Sequence, residues 1–331
     1  MPAQLYASSE LLARIEEALH AQGYATHAPQ ELYAPIHYTL ELGGKRVRPL
    51  LCLLSAQLFS ADIRPALPIA VALEVFHNFT LLHDDLMDRS PLRRGQPTVY
   101  RKWDENTAIL SGDVMSIEAY RALEGISDAG LLYRAFPIFN QMAVDICRGQ
   151  QYDMLFEDRD DVSTDEYLEM IRLKTAVLLG ASMRLGALAS GSSAEDAERL
   201  DEVGQKLGLA FQIQDDYLDV YGDEATFGKP IGGDIMNAKK TLMLLYTCEQ
   251  LETADLAELN RLMSLGEEEQ RHERIEGVTA LYDKAGTPEY ARAQIARLTE
   301  EALSILKTID IEQERTLPLV QLFDALASRM S

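Results

Sequence analysis

Three stretches of the chain are apolar on nearly every helical face, and two of them end in acid. Residues 66–88, ALPIAVALEVFHNFTLLHDDLMD, stay apolar until their last turn. A helix that is apolar all round is a buried helix. Residues 165–190, DEYLEMIRLKTAVLLGASMRLGALAS, form a similar segment, and residues 199–221, RLDEVGQKLGLAFQIQDDYLDVY, form a third that ends in a second acidic cluster. Period-two alternation bounded by turn residues is hard to find, which argues against a sheet. Breaks fall at Gly43–Gly44, around Pro65–Pro68, at Pro91 to Pro97, at Gly191 to Ser193 and at Gly222 to Gly233. With no Ser/Gly-rich linker and no short repeat, the pattern predicts one all-α domain over 1–331. The charge-dense segment 266–277, GEEEQRHERIEG, reads as a solvated helix face.

Composition narrows the class. Hydrophobic residues make up 47% of 331, enough for a sizeable core and too many for a disordered chain. A formal net charge of -22 excludes non-specific nucleic-acid binding, and no polybasic patch is present for anionic membranes. The longest apolar stretches are interrupted by Glu74, His77 and Asn78, so no transmembrane span is expected. The first residues lack the charged and apolar regions of a signal peptide. Cys52, Cys147 and Cys248 lie far apart without zinc-ligand spacing, and read as reduced core cysteines of a cytoplasmic protein.

Candidate chemistry begins with DDLMD. Asp84 and Asp88 share a helical face, and Asp85 adjoins them. They stand at a helix C-terminus, where the dipole disfavours negative charge. A cation must offset this, and magnesium, which takes oxygen ligands and shares them with phosphates, fits. A helix ending in solvent accounts for one such cluster equally well. The second cluster, Asp215, Asp216 and Asp219 in DDYLD, repeats the DDxxD spacing behind another apolar run, and chance explains two less easily. Two such ends around one cavity could clamp a diphosphate through two or three Mg2+ ions. Lys45, Arg46 and Arg48 in GGKRVRP, and Arg93 and Arg94 in RRGQPT, supply forks for phosphate oxygens, although each cluster alone reads as surface ion pairing. Lys174 sits inside an apolar run, where lysine needs a partner such as a diphosphate or a metal-site carboxylate. Lys229 and Lys239 follow DDYLD.

Taken together these segments resemble the trans-isoprenyl diphosphate synthases, the group of farnesyl and geranylgeranyl diphosphate synthases. The match runs through GGKRVRP (43–49), LLHDDLMD (81–88), RRGQPT (93–98), RGQQYD (148–153), LKT (173–175), FQIQDDYLD (211–219) and GKPIGGD (228–234), and covers roughly residues 40–240. The resemblance implies a helical bundle around a deep central cavity, the isoprenoid synthase type I fold, and a homodimer. It implies that Asp84, Asp88 and Asp215 bind magnesium, supported by Asp85, Asp216, Asp219, Asp153 and Asp234. Arg93, Lys174, Lys229 and Lys239 would hold the allylic diphosphate, with Lys240 beside Lys239 as the alternative. Lys45, Arg48, His77 and Arg94 would hold the diphosphate of isopentenyl diphosphate, whereas His77 by itself reads as a core histidine.

The implied reaction is ionisation, condensation and elimination. The backbone carbonyl of Lys174, with the side chains of Thr175 and Gln212, would stabilise an allylic cation by oriented dipoles, and the released diphosphate is the candidate proton acceptor. The growing chain should run down its helix away from Asp84. Thr80 lies on the same face about 6 Å deeper, Phe79 is five residues before Asp84, and Phe76 is about one turn further. One aromatic at that position, with no insertion in DDLMD, resembles geranylgeranyl synthases, so the expected product has fifteen to twenty carbons, with twenty favoured. A long-chain synthase is opposed by Phe79, a non-catalytic subunit by two intact acidic motifs, and a terpene cyclase by the second DDxxD and GGKRVRP. A plain metal-binding bundle leaves Lys174 and the arginine pairs unexplained.

Overall fold

The computed structural model describes residues 5–223, 231–266 and 270–327. The first helices are α1 (Ser8–His20), α2 (Gln30–Glu41), α3 (Val47–Phe59) and α4 (Leu67–Met87). After a two-residue antiparallel ribbon of β1 (Leu92–Arg93) and β2 (Gln96–Pro97) come α5 (Val99–Lys102), α6 (Glu105–Ala122), α7 (Ala129–Glu157) and α8 (Thr164–Ile171). There follow α9 (Val177–Ala189), α10 (Ala194–Tyr221), α11 (Gly233–Met236), α12 (Leu242–Gln250), α13 (Thr253–Met263), α14 (Arg271–Lys284), α15 (Thr287–Leu306) and α16 (Gln313–Ala327).

Local chemistry sets these boundaries. Pro68 opens the first turn of α4, where a missing N–H costs nothing, and Asp88 closes it. Asp104 caps α6 by accepting from the Thr107 N–H at 2.8 Å. Ser163 and Glu166 form a reciprocal capping box at the start of α8. The secondary structure departs from the sequence reading at two places. The ribbon, with Leu92 opposite Pro97 and Arg93 opposite Gln96, is too short to show alternation. The segment 165–190 is not one α-helix, because Arg172–Ala176 widen into a π turn between α8 and α9.

The chain divides into two compact units: Asn140 and what precedes it with Ala181–Asp201 and Asp310–Leu319, and Gln141–Gly180 with Glu202–Ile309 and the chain from Val320 on. Neither unit is a continuous stretch. In the first, α4 packs chiefly on α6 and α3, and its Ile69, Leu73 and Val75 are fully buried. In the second, the core gathers Tyr167, Ile213, Leu242, Met243, Val278, Tyr282 and Ile295. Cys52 is buried as expected, but Cys147 is exposed and Cys248 only half-buried. Arg274, within the segment expected to be solvated, is buried and donates to the carbonyls of Leu265 and Ile235, both at 2.6 Å. Among the described residues no helix is long and apolar enough to cross a membrane.

Candidate active site

In the first unit, the loop between α2 and α3 carries GGKR. Gly43 and Gly44 take φ of +77° and +129°, which side chains disfavour. Arg46 follows at φ +48° and is almost wholly buried. Its Nε donates to Glu16 at 2.8 Å, Nη1 to Glu74 at 2.8 Å and Nη2 to the Leu40 carbonyl at 2.7 Å. Asn78 donates to the same Glu74 oxygen at 3.0 Å. Arg46 is therefore a structural pin. Lys45 is exposed on the loop. Arg48 has a buried Nε without a hydrogen-bond partner among the described residues. Desolvation, opposed by Glu74 and reinforced by Arg94, pushes its guanidinium down to about 10. An orphaned guanidinium N–H in such a setting suits an anion.

Arg94 reaches the same loop, with Nη1 bonded to the Gly43 carbonyl. A Cβ at Gly44 would stand 2.7 Å from Arg94 Nη2, so only glycine lets the guanidinium lie there. His77 is buried on α4, and its pKa is held well below the usual value by burial and then by Arg48, Arg94, Arg93 and Arg46. It is a neutral imidazole among cations. Arg48, His77 and Arg94 are thus brought together.

At the end of α4, Asp84 is half-buried, Asp88 exposed and Asp85 buried. Arg93 forks onto Asp85 at 2.6–3.0 Å and lies 4.0 Å from Asp84. Burial raises the Asp85 pKa, Arg93 opposes that rise, and Asp84 adds to it. The structure therefore separates the motif: Asp85 anchors the β1–β2 ribbon, and Asp84 and Asp88 remain as the pair one turn apart. Deeper on α4, the Phe79 ring meets His83 at 5.0 Å and Phe76 at 5.2 Å, and Phe76 meets Phe139 of α7 at 5.6 Å. Thr80 spends its hydroxyl on the His77 carbonyl at 2.8 Å.

In the second unit, Lys174 and Thr175 occupy the π turn, where Val177 N–H bonds to Arg172 O instead of to the carbonyl four residues back. Lys174 Nζ pairs with Asp153 at 2.6 Å. Thr175 Oγ1 donates to Oε1 of Gln212 on α10 at 3.4 Å, and Gln212 Nε2 donates to Asp216 Oδ1 at 3.3 Å. The Tyr167 hydroxyl donates to the other Asp216 oxygen. Asp219 Oδ2 accepts from the Asp234 N–H at 2.8 Å, and its own carbonyl from the Gly232 N–H at 2.6 Å. Desolvation works to lower the Lys239 pKa, but Asp234, Asp216, Asp153 and Asp215 together raise it. Lys240 instead reaches Asp160 at 3.5 Å. Lys229 lies outside the described residues.

Four contributors were not singled out by the motif reading. Tyr167 lies in the apolar segment 165–190 but in none of the motifs. Arg271 donates to the Ile231 carbonyl at 3.0 Å and, with Arg274 on Ile235, ties down the strand of chain that carries Asp234. Gly149 lies in RGQQYD, but its reason is a close approach to the π turn, where a Cβ would stand 2.6 Å from Lys174 Cα.

The donor set fits magnesium. Asp84 and Asp88 offer hard oxygens one turn apart, Asp216 and Asp219 are engaged within their own unit, and Asp215 is the DDYLD carboxylate that the resemblance implies as a ligand. Among the described residues no three His, Cys, Asp or Glu side chains are gathered as a ready-made cage. Carboxylates in ones and twos are the donors with which Mg2+ keeps waters and takes up phosphate oxygens.

Comparison with known proteins agrees with this chemistry. The polyprenyl synthetase family model matches residues 29–282. A geranylgeranyl diphosphate synthase of Methanosarcina mazei is 36% identical over 323 residues, covering 97% of this chain and 95% of its own. A crystal structure of a geranylgeranyl pyrophosphate synthase superposes with a TM-score of 0.91 at 42% identity, covering 98% of this chain and 99% of that one. Another, from Corynebacterium glutamicum and complexed with isoprenyl diphosphate and magnesium, gives 0.84 at 27% identity, covering 97% and 98%. The chain belongs to the polyprenyl synthetase family and is a prenyltransferase of the trans-isoprenyl diphosphate synthase type.

Proposed function

We propose that this enzyme condenses isopentenyl diphosphate head-to-tail with dimethylallyl, geranyl and farnesyl diphosphates, and stops at geranylgeranyl diphosphate. The observation that carries this reading is the second unit's array, in which Lys174 and Lys239 stand among Asp153, Asp215, Asp216 and Asp234. Cations interleaved with carboxylates suit a diphosphate that arrives with its own metal ions. Asp84, Asp88 and Asp215 would hold magnesium, which when bound neutralises phosphate charge and polarises the leaving oxygen.

The remaining duties fall to the chain's own residues. Arg93, Lys174 and Lys239 hold the allylic diphosphate as its C–O bond breaks, with Lys229 as their proposed partner. The Lys174 carbonyl, Thr175 and Gln212 direct dipoles at the allylic cation. Arg48, His77, Arg94 and Lys45 hold isopentenyl diphosphate. Its double bond attacks the cation, a new C–C bond forms, and a proton passes to the released diphosphate. Asp85, Asp216, Asp219, Asp153 and Asp234 hold these groups in place.

Phe79, backed by Phe76, is the proposed floor of the chain-length tunnel, with Thr80 beside it. A homodimer is the proposed assembly, supported by Ile117, Tyr133 and Phe136, which leave an apolar face exposed on α6 and α7. The enzyme would work in the cytoplasm.

The test is a single incubation with Mg2+, labelled isopentenyl diphosphate and each allylic diphosphate, with products sized by chromatography. Asp84→Ala and Asp215→Ala should each abolish condensation and leave helical circular dichroism intact. Undiminished turnover in either variant refutes the assignment.

A further inference from the structure

The proposed chemistry gives no duty to the buried hydroxyl of Tyr167. Tyr167 lies on α8, is 1% exposed and donates to Asp216 Oδ2. Asp216 is itself 2% exposed, and its other oxygen accepts from Gln212 Nε2 at 3.3 Å. Gln212 Oε1 in turn faces Thr175 Oγ1 at 3.4 Å. Four side chains therefore form one line, Tyr167–Asp216–Gln212–Thr175, and all of them belong to the second unit.

The line matters because of Gln212. A side-chain amide has an acceptor end and a donor end of nearly equal size, and turning it over costs little unless its partners discriminate. Thr175 does not discriminate, since a hydroxyl can give or take a hydrogen bond. Asp216 does: ionised, as the two donors on its oxygens require, it only accepts and so admits only the NH2 end. The direction of the Gln212 dipole is therefore decided at Asp216. A carboxylate held by one partner can rotate about its own Cβ–Cγ bond; one held on both oxygens cannot. Burial removes the water that would otherwise serve as a second partner.

We propose that Tyr167 is a positioning residue for the condensation: it locks Asp216, which turns the carbonyl end of Gln212 toward Thr175 and the developing cation. This rests on the role given to Gln212 in the proposed function. Tyr167 touches no substrate, and it contributes by keeping an oriented dipole from reversing.

The experiment is a double-mutant cycle on the full-length enzyme with Mg2+, isopentenyl diphosphate and farnesyl diphosphate. Tyr167→Phe should lower kcat about tenfold, less than the hundredfold or more lost when a directly acting dipole is removed, with KM for isopentenyl diphosphate unchanged. Gln212→Leu should lower kcat further, and the double variant should be no slower than Gln212→Leu alone. Asp216→Asn, whose own amide can accept or donate, should show the same loss and the same non-additivity. It serves in place of Tyr167→Phe if that variant fails to fold. Losses that multiply in the double variants, or a wild-type kcat in Tyr167→Phe, overturn the positioning role while leaving the reading of Gln212 in place. A wild-type kcat in Gln212→Leu overturns that reading, and the positioning role with it.

Discussion

Replacing Gly149 with alanine tests whether the π turn is held by backbone contact. The new Cβ would stand 2.6 Å from Lys174 Cα and 2.7 Å from the Leu173 carbonyl carbon. Carbon–carbon contacts are comfortable at about 3.5–4.0 Å, so α7 and the turn must separate by roughly 1 Å. The obstacle is main chain, which cannot rotate aside as a side-chain tip could. Overpacking of this kind costs about 1–3 kcal/mol of stability. Its effect on turnover should be larger in proportion. A displacement of about 1 Å at groups that position a reacting centre costs about a hundredfold in rate, and the Lys174 carbonyl and its Asp153-paired ammonium both ride on this turn. We expect Gly149→Ala to lower the thermal midpoint modestly and kcat/KM for condensation about a hundredfold, measured by thermal unfolding and by incorporation of labelled isopentenyl diphosphate. Wild-type values of both would show that the turn's shape is not set by this contact. A loss of stability with full turnover would show that the turn does not carry the chemistry.

Three further outcomes follow from the first unit. Phe79→Ala removes the ring packed on Phe76 and His83 and should lengthen the product, read by chromatography; an unchanged distribution removes Phe79 as the floor. Arg46→Met leaves Glu74, 2% exposed, without its cation, and should cost about 3–5 kcal/mol in denaturant unfolding; a loss below about 1 kcal/mol would show that the pin is dispensable. Burial and the surrounding arginines keep His77 neutral in the folded chain, while the unfolded chain takes a proton below about 6.5. Its contribution to stability is therefore complete above about pH 6.5 and falls with acid by at most about 1.4 kcal/mol per unit. His77→Gln should flatten the fall in thermal midpoint from pH 7 toward pH 5, and equal slopes would refute the neutral assignment.

Much of the candidate site was legible before any coordinates. DDLMD and DDYLD announce themselves because i, i+4 spacing places Asp84 with Asp88 and Asp215 with Asp219 on shared helical faces whatever else the chain does. Lys174 stood out because a lysine in an apolar run needs a counter-charge, and Asp153 supplies it. What spacing could not say is which of several like residues is turned where. Arg46 and Arg48 are two apart in one basic run, yet Arg46 is spent on Glu16 and Glu74, and Arg48 keeps a buried Nε without a hydrogen-bond partner among the described residues. Asp85 looks like its neighbours but belongs to Arg93.

The sequence by itself determined the helical class, the acidic helix ends and the basic loops, because those rest on periodicity and on the cost of stranding charge in apolar surroundings. Tertiary structure alone decided that residues 172–176 widen into a π turn, that Gly149 must be bare where it meets them, and that Tyr167 reaches Asp216 from forty-nine positions away. Such pairings arise from how helices dock. A contact made across the interior leaves no period in the chain for a reader to find.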